Sequence, residues 1–314
     1  MEGGYGATMG GVRQKSVRAL GLTPADMAKA VGCVLLPPIV FTLSSLLLCF
    51  RFRFEHPRAA WVVALLFLAP GILSGYSFRR ARQAGFDRRW QKLATTLFLA
   101  ASVAGGVVGD LIYWYFSQPF YLLESLRAYE DVNPAEVDGV RLMDAGRVQF
   151  EEGSRLALDF AMSYTSWDIY CVAPITTAEG LPSQGSQLGS YDLWAVGVNC
   201  CKSAEANFRC GEYNNPKARS GLRQVSAEQR PYFRLAVQQA EAAYNIEATR
   251  PIFFYWVEDP LFQERLFFKA AFSNWVLANG VHFSANAFGI LVFVVMFNRA
   301  SKSTAAHLQM ALGA

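Results

Sequence analysis

The sequence predicts a membrane protein with four transmembrane α-helices and a disulfide-stapled α+β soluble domain inserted between helices 3 and 4. Two observations lead to this fold class. Four long stretches are free of formal charge apart from one aspartate in the third, and a long polar segment separates the third from the fourth. That polar segment also holds four of the six cysteines.

The uncharged stretches are residues 30–50, 59–78, 93–109 with its continuation beyond Asp110, and 270–298. About 20 apolar residues in a helix cross a hydrocarbon core of about 30 Å. Backbone polar groups in lipid must be satisfied within the segment, so these stretches are expected to be helices. The alternative, buried helices of a large soluble protein, accounts poorly for four such stretches with basic flanks.

Two of the spans depart from a simple crossing. The adjacent Pro37 and Pro38 are expected to kink or interrupt the first helix. The fourth stretch is too long for one crossing, so we expect an interfacial helix near 261–276 followed by the crossing at 278–298. The resulting domain plan is 1–29 as a basic Gly-rich tail, 30–116 as helices 1–3, 117–277 as the non-cytoplasmic domain, 278–298 as helix 4 and 299–314 as the C-terminal tail.

Charge predicts the orientation, because Lys and Arg near span ends favour the cytoplasmic side. The two tails and the loop 79–92 carry 12 basic residues, against three in the loop between spans 1 and 2. Both termini are therefore expected on the cytoplasm-equivalent side, with 117–277 opposite. The first apolar stretch exceeds the usual core of a cleaved signal peptide, so we expect it to act as a signal anchor. Plasma membrane, endomembrane and organelle envelopes all satisfy this pattern.

The two halves of this plan differ in net charge. Residues 117–280 hold 20 acidic and 14 basic residues, a net charge of −6, whereas the remainder carries +10. We interpret the basic residues of the membrane part as topology signals and as contacts for anionic lipid headgroups rather than for nucleic acid. The headgroup contacts are expected at Arg79, Arg80, Arg82, Arg88 and Arg89.

The four cysteines of the polar segment are Cys171, Cys200, Cys201 and Cys210. An even number of cysteines on a non-cytoplasmic face indicates disulfides. Adjacent cysteines rarely bond to each other, because the ring is strained, so we expect Cys171 to pair with one of Cys200 and Cys201 and Cys210 with the other. A zinc site would need a Cys-x2-Cys knuckle or a histidine between 171 and 210, and a redox site would need Cys-x-x-Cys; the segment has none of these.

The soluble segment reads as a small α+β unit. We predict a short amphipathic helix over 117–131 and a long helix that starts near Ser226 or near Arg230 and ends near Asn245. The candidate strands are Arg147–Glu151, Asp168–Ile175, Leu193–Asn199 and Pro251–Val257.

Asp110 is the best functional candidate within the spans, because intramembrane carboxylates are costly and often line ion paths. Gly105, Gly106 and Gly109 precede it and allow close approach of another helix. His282 and Asn286 lie one helical turn apart and could face Asp110 at the same depth. The competing interpretation is structural, with Asp110 about one turn below an aromatic belt and His282 satisfied at the interface.

Catalytic and cofactor signatures are missing from the sequence. The carboxylates at Glu151, Glu152, Asp159 and Asp168 form no recognisable pair, and the three histidines lie outside the core of the soluble domain. There is no Walker A, G-x-S-x-G, H-E-x-x-H, EF-hand or dinucleotide motif. We therefore expect no enzymatic activity, no metal and no cofactor.

Four spans, a large domain between the third and fourth, and the Cys200-Cys201 pair resemble the architecture of tetraspanins. The chain departs from that family in having Lys202 where the family has glycine after the pair. It also has a long basic loop, 79–92, where the family's loop is very short.

Four strings of the soluble domain resemble an uncharacterised multi-pass membrane-protein family of dinoflagellate-type algae. They are YCVAPI (170–175), YDLWAVGVNCC (191–201), FRCGEYNNPKARSGLR (208–223) and QRPYFRLAVQQAEAAYNI (229–246). The resemblance covers about residues 140–260 and implies that all four outer cysteines belong to the domain's pattern. It implies no activity.

These features favour a non-enzymatic membrane protein whose outward domain is an interaction or receptor-like module, or an accessory subunit of a membrane complex. Protein partners are expected to dock on the domain 117–277, through exposed aromatic residues of 251–275. The alternative is a small transporter or channel that uses Asp110 and His282.

Overall fold

The computed structural model describes residues 24–84, 88–177, 190–203 and 207–312. The chain divides into two compact units, one of Met1–Tyr113 with Ala271–Ala314 and the other of Trp114–Ala270. Four helical segments are long and apolar enough to cross a membrane, at Asp26–Cys49, Pro57–Ser77, Arg89–Glu124 and Pro260–Met296. Four candidate spans, with a sheet domain between the third and fourth along the chain, agree with the prediction.

The helices of the first unit are α1 Pro24–Cys49, α2 Arg51–Glu55, α3 Pro57–Leu66, α4 Ala69–Ala84 and α5 Arg88–Ile112. A π-helical turn, Tyr113–Ser117, links α5 to α6, Gln118–Glu124. α1 contains Pro37 and Pro38 within one continuous helix, so of the two predicted effects, a kink or an interruption, the interruption does not occur.

The second span is broken between α3 and α4 at Phe67 and Leu68. Pro70 has no N–H to donate to the preceding turn, which accounts for a break at this point. The hydroxyl of Ser102 on α5 donates a 2.6 Å hydrogen bond to the carbonyl of Phe67. A side chain from a neighbouring helix thus satisfies a backbone group that the break exposes, as an apolar environment requires.

Helices α1 and α5 pack closely through glycine. A Cβ at Gly109 would lie 2.7 Å from the carbonyl oxygen of Ser45, and one at Gly105 would lie 2.7 Å from that of Phe41. At Gly106 the nearest atom would be 3.9 Å away, an ordinary contact. The predicted close approach therefore belongs to Gly105 and Gly109, which are spaced as in a small-xxx-small packing motif.

The last helix, α8, is continuous from Pro260 to Leu312. The prediction of a separate interfacial helix over 261–276 is therefore wrong. The polar residues that suggested a boundary bond to α1 instead. Asn279 Oδ1 accepts a 2.6 Å hydrogen bond from Thr42 Oγ1, and Asn286 Nδ2 donates to the carbonyl of Cys33 at 3.0 Å.

The second unit contains a mixed sheet in the order β1-β2-β7-β8-β6-β5-β3, with β4 also paired to β5. The strands are β1 Arg127–Val132, β2 Ala145–Phe150, β3 Arg155–Leu156, β4 Met162–Ser166, β5 Asp168–Thr176, β6 Leu193–Val198, β7 Ser220–Arg223 and β8 Ile252–Val257. β1 is parallel to β2 and β6 is parallel to β8, while the other pairs are antiparallel. The four predicted strands correspond to β2, β5, β6 and β8.

Both faces of this sheet are covered. On one face, helix α7 (Arg230–Tyr244) packs Phe233 and Val237 against the fully buried Trp194. On the other face, Phe150 and Phe254 pack with the cysteines of the segment that follows β6. Two buried faces explain why β5, β6 and β8 are apolar along their length instead of alternating.

Helix α7 begins at Arg230 with Pro231 in its first turn, and it ends at Tyr244, followed by the cap residue Asn245, whose φ is +52°. The Ser226 hydroxyl still accepts a 3.4 Å hydrogen bond from the backbone N–H of Gln229. The start near Arg230 is therefore the correct one of the two alternatives.

Two predictions for this unit fail. The helix predicted over 117–131 stops at Glu124, and β1 begins at Arg127. The aromatic segment Ile252–Val257 is strand β8, and five of its six residues are buried, so its side chains form core rather than a docking surface. Of the aromatic surface predicted over 251–275, the exposed members in the described structure are Phe262, Phe268 and Phe272.

Candidate functional site

Trp167 lies at the tip of the β4–β5 hairpin. The strands are antiparallel and pair Ser166 with Asp168, so Trp167 is the residue at which the chain reverses. Its relative exposure is 104 %, and its φ is +61°. A bulky residue in the left-handed region is strained, and such backbone persists where the surrounding structure holds it and is often found at functional sites.

Asn199, directly after β6, holds the residues that follow Trp167. Its side-chain Oδ1 accepts a 2.9 Å hydrogen bond from the N–H of Ile169, and its Nδ2 donates to Asp168 Oδ1 at 2.8 Å. Its own N–H donates to the carbonyl of Ile169 at 2.8 Å. Asn199 has a φ of +58°, a conformation that asparagine adopts more readily than most residues. One residue thus fixes the first two positions of β5.

Two disulfides brace the same region, Cys171 with Cys201 and Cys200 with Cys210. The pairing is one of the two that the sequence left open. Cys171 is fully buried in β5, four residues after Trp167, so the first bond ties the hairpin to the segment that follows β6. The sulfurs of Cys171, Cys200 and Cys210 lie within 4.8 Å of one another. All three are oxidised, whereas zinc binds thiolates, so the zinc alternative would require reduction of both bonds.

The other strand of the hairpin is attached to the same segment. Ser163 Oγ on β4 donates to the carbonyl of Lys202 at 3.2 Å, and Thr165 Oγ1 lies 3.0 Å from Ser203 Oγ. The tryptophan is therefore presented by two strands that are both fixed to one disulfide-bonded segment. Sequence reasoning missed this site, because Ser-Trp-Asp carries no Gly or Asn-Gly turn signal.

In the first unit, Asp110 is paired with Arg53 rather than with His282. Arg53 Nη2 lies 2.5 Å from Asp110 Oδ1, and the Arg53 side chain is only 8 % exposed. The guanidinium carbon also lies 4.9 Å from the ring centroid of Trp61 and 4.7 Å from that of Tyr113. In the sequence, Arg53 looks like one of the charged residues of the loop between spans 1 and 2. Its partner is 57 positions away, and no spacing rule connects the two residues.

His282 and Asn286 both contact α1. The His282 ring stacks on Phe41 with centroids 4.1 Å apart. Asn286 Nδ2 donates to the carbonyls of Cys33 and Val34 at 3.0 and 3.1 Å. Through these contacts His282 and Asn286 pack α8 against α1.

The remaining candidate residues are dispersed. The carboxylates of Glu151, Glu152, Asp159 and Asp168 belong to exposed residues. Arg89 is exposed, while the side chains of Arg79, Arg80, Arg82 and Arg88 and the tail 1–23 lie outside the described residues, as does part of the loop 79–92.

Comparison with known proteins returns no match to a protein-family model, a curated protein or a solved structure. Function is therefore inferred from the geometry of the chain itself.

Proposed function

We propose that this chain is a non-enzymatic integral membrane protein whose soluble domain binds a protein partner through the Trp167 hairpin, as an interaction module or an accessory subunit of a membrane complex. The observation that carries this proposal is a fully exposed tryptophan at φ +61° on a hairpin that is fixed on both strands. Tryptophan is enriched among the residues that dominate binding energy at protein interfaces.

The rigidity of the hairpin also supports a binding role. Binding costs about 0.5–1.5 kcal/mol for each flexible side chain that must be immobilised, and more where a loop must be ordered. Here Asn199 and the Cys171–Cys201 bond already order the hairpin before any partner arrives. A fully exposed aromatic side chain on a pre-organised hairpin is well suited to insert into an apolar pocket of another protein.

Charge favours a protein over an anionic membrane as the partner of this tip. The segment 117–280 has a net charge of −6, and Asp168 follows Trp167 directly. Anionic lipid surfaces repel acidic segments, whereas a protein pocket with a basic rim would complement one.

The proposal includes the orientation argued from charge, with both termini on the cytoplasm-equivalent side and the domain opposite. Two disulfides support it, because such bonds persist in oxidising compartments and are rare in the cytosol. Membership of the algal membrane-protein family that the domain strings resemble is a proposal, and so is the tetraspanin-like topology, which rests on analogy.

Co-purification in a mild detergent tests the docking surface. Full-length protein carrying Trp167→Ala should lose a stoichiometric partner that the unmodified chain retains. Leu235→Ala removes another exposed apolar side chain, on α7, and serves as the matched control that keeps the partner. Retention of the same partner by both variants would refute docking through Trp167.

A further inference from the structure

A cavity of about 440 Å³ in the soluble unit is lined by four arginines, Arg223, Arg230, Arg234 and Arg250. The 117–280 segment as a whole is acidic, yet four of its 14 basic residues converge here. Among the described residues that line the cavity, none is Asp or Glu. The cavity volume falls within the range of about 300–1,000 Å³ typical of small-molecule sites.

The fold assembles this cluster from separate elements. Arg223 ends β7, Arg250 lies just before β8, and β7 and β8 are hydrogen-bonded neighbours in the sheet. Arg230 and Arg234 are four residues apart at the start of α7, so they project from one face of that helix. The positive end of the α7 dipole lies at the same place, which adds to the potential that an anion would meet.

Arg223 is the half-buried member of the cluster. Its Nη1 donates a 3.2 Å hydrogen bond to the carbonyl of Leu142, and its guanidinium lies over the ring of Phe254 at 5.8 Å. Burial, together with the positive charge of Arg230, lowers the pKa of the Arg223 guanidinium to about 10, so it remains charged at neutral pH. An anion bound between Arg223 and Arg230 would stabilise the charged guanidinium of Arg223. It would thereby offset both the burial and the repulsion that lower the pKa of Arg223.

Among the described residues, none of the four cavity arginines forms an ion pair with a carboxylate. The buried carboxylate of Asp192 accepts hydrogen bonds from the N–H groups of Gly139 and Arg250, both at 3.0 Å, and from Ser190 Oγ at 2.9 Å. Gln224, which also lines the cavity, is 1 % exposed. Its Nε2 donates hydrogen bonds to the carbonyl of Ser226 at 3.0 Å and to Gln229 Oε1 at 3.3 Å, beside the start of α7.

We propose that this cavity binds a small ligand that carries at least two phosphate groups. Each phosphate monoester carries a charge of about −1.5 to −2 at neutral pH, so two of them match four guanidiniums. Arginine binds phosphate through two parallel N–H donors, which gives geometric selectivity as well as attraction. This phosphate site is separate from the proposed docking surface at Trp167. It is lined by different residues, and it binds through charge instead of apolar contact.

Calorimetric titration of the full-length protein, in nanodiscs of neutral lipid, with pyrophosphate tests the site. Pyrophosphate should bind more tightly than inorganic phosphate, and the Arg230→Gln/Arg234→Gln variant should bind it at least tenfold more weakly. Both residues are exposed, so this variant is expected to fold even if Arg223→Gln does not. The matched control, Arg155→Gln/Arg209→Gln, removes two exposed arginines outside the cavity lining and should bind as the unmodified chain does.

A second arm distinguishes a soluble ligand from a lipid headgroup. Capture of the nanodiscs by vesicles containing phosphatidylinositol phosphates, lost in Arg230→Gln/Arg234→Gln, would assign the site to a headgroup. Pyrophosphate binding without such capture would assign it to a soluble phosphorylated molecule. Absence of pyrophosphate binding, or equal affinity in the cavity variant and its control, would overturn the proposal.

Discussion

The side chain of Asn199 donates a 2.8 Å hydrogen bond to Asp168, the residue that immediately follows the exposed Trp167. Both Asn199 and Trp167 have left-handed backbone, with φ of +58° and +61°. Asn199, which directly follows β6, thus stabilises the strained backbone at the tip of the β4–β5 hairpin.

Asn199→Ala should loosen the hairpin. The variant loses two side-chain hydrogen bonds, each contributing about 1 kcal/mol. Alanine also lacks the short polar side chain that lets asparagine adopt positive φ. Hydrogen exchange of the full-length protein should quicken for the amides of 162–172. Asn199→Gly, which tolerates the backbone but lacks the side chain, should show a smaller effect. Equal protection in all three proteins would contradict the assigned role.

The two disulfides should differ in their contribution to stability. The bonds join residues 30 and 10 positions apart, and the chain-entropy model gives about 3.6 and about 2.7 kcal/mol for such loops. Urea unfolding should therefore show a larger loss for Cys171→Ala/Cys201→Ala than for Cys200→Ala/Cys210→Ala.

Thiol counting checks the same bonds directly. Alkylation of the unreduced, denatured chain should modify two cysteines, Cys33 and Cys49, which form no disulfide in the described part of the chain. Modification of four cysteines between 171 and 210 would refute the bonds and remove one support for the proposed orientation.

Gly109→Ala should destabilise the first unit, because the new Cβ would lie 2.7 Å from the Ser45 carbonyl and 3.0 Å from its Cα. Overpacking of this kind costs about 1–3 kcal/mol. Gly106→Ala is the matched control, since its Cβ would meet an ordinary contact at 3.9 Å. A lowered thermal midpoint in detergent for Gly109→Ala alone is the expected result. The same midpoint for both variants would contradict close packing of α1 and α5.

Asp110→Asn should leave the buried Arg53 without its counter-charge and lower the stability of the first unit. Replacing both partners by apolar residues of similar size, as in Arg53→Met/Asp110→Leu, should recover much of the loss, as is common for buried pairs. The thermal midpoints of the single and double variants in detergent check this. A single variant as stable as the unmodified chain would show that the pair is not structural.

The same substitution separates the interaction hypothesis from the transport hypothesis. If Asp110 and His282 form an ion path, Asp110→Asn should change the flux of ions into liposomes that contain the protein. We expect no such change, because Asp110 is paired with Arg53 and His282 is stacked on Phe41.

The sequence was most informative where one residue type decides the outcome. Long charge-free stretches identified the four candidate spans, and the strain of bonding Cys200 to Cys201 left only two pairings. Apolar runs identified β5, β6 and β8, because both faces of those strands are buried. In each case the sequence pattern of the segment and its surroundings in the fold indicate the same structure.

Sequence reasoning failed where partners that are distant in the chain determine the structure. β1 has mostly exposed residues, so its charges resembled one face of a helix. β7 is four residues long and contains Gly221, and it is a strand because β2 and β8 flank it. The roles of Arg53 and of the four cavity arginines depend on contacts between residues that are far apart in the chain. No spacing rule predicts such contacts from the sequence.

Photo-crosslinking from position 167 in intact cells tests the central claim most directly. A photoreactive amino acid in place of Trp167 should give a discrete covalent adduct with one protein. The same probe in place of Leu235, on the exposed side of α7, should give none. No adduct from position 167, or identical adducts from both positions, would contradict a docking function for the hairpin.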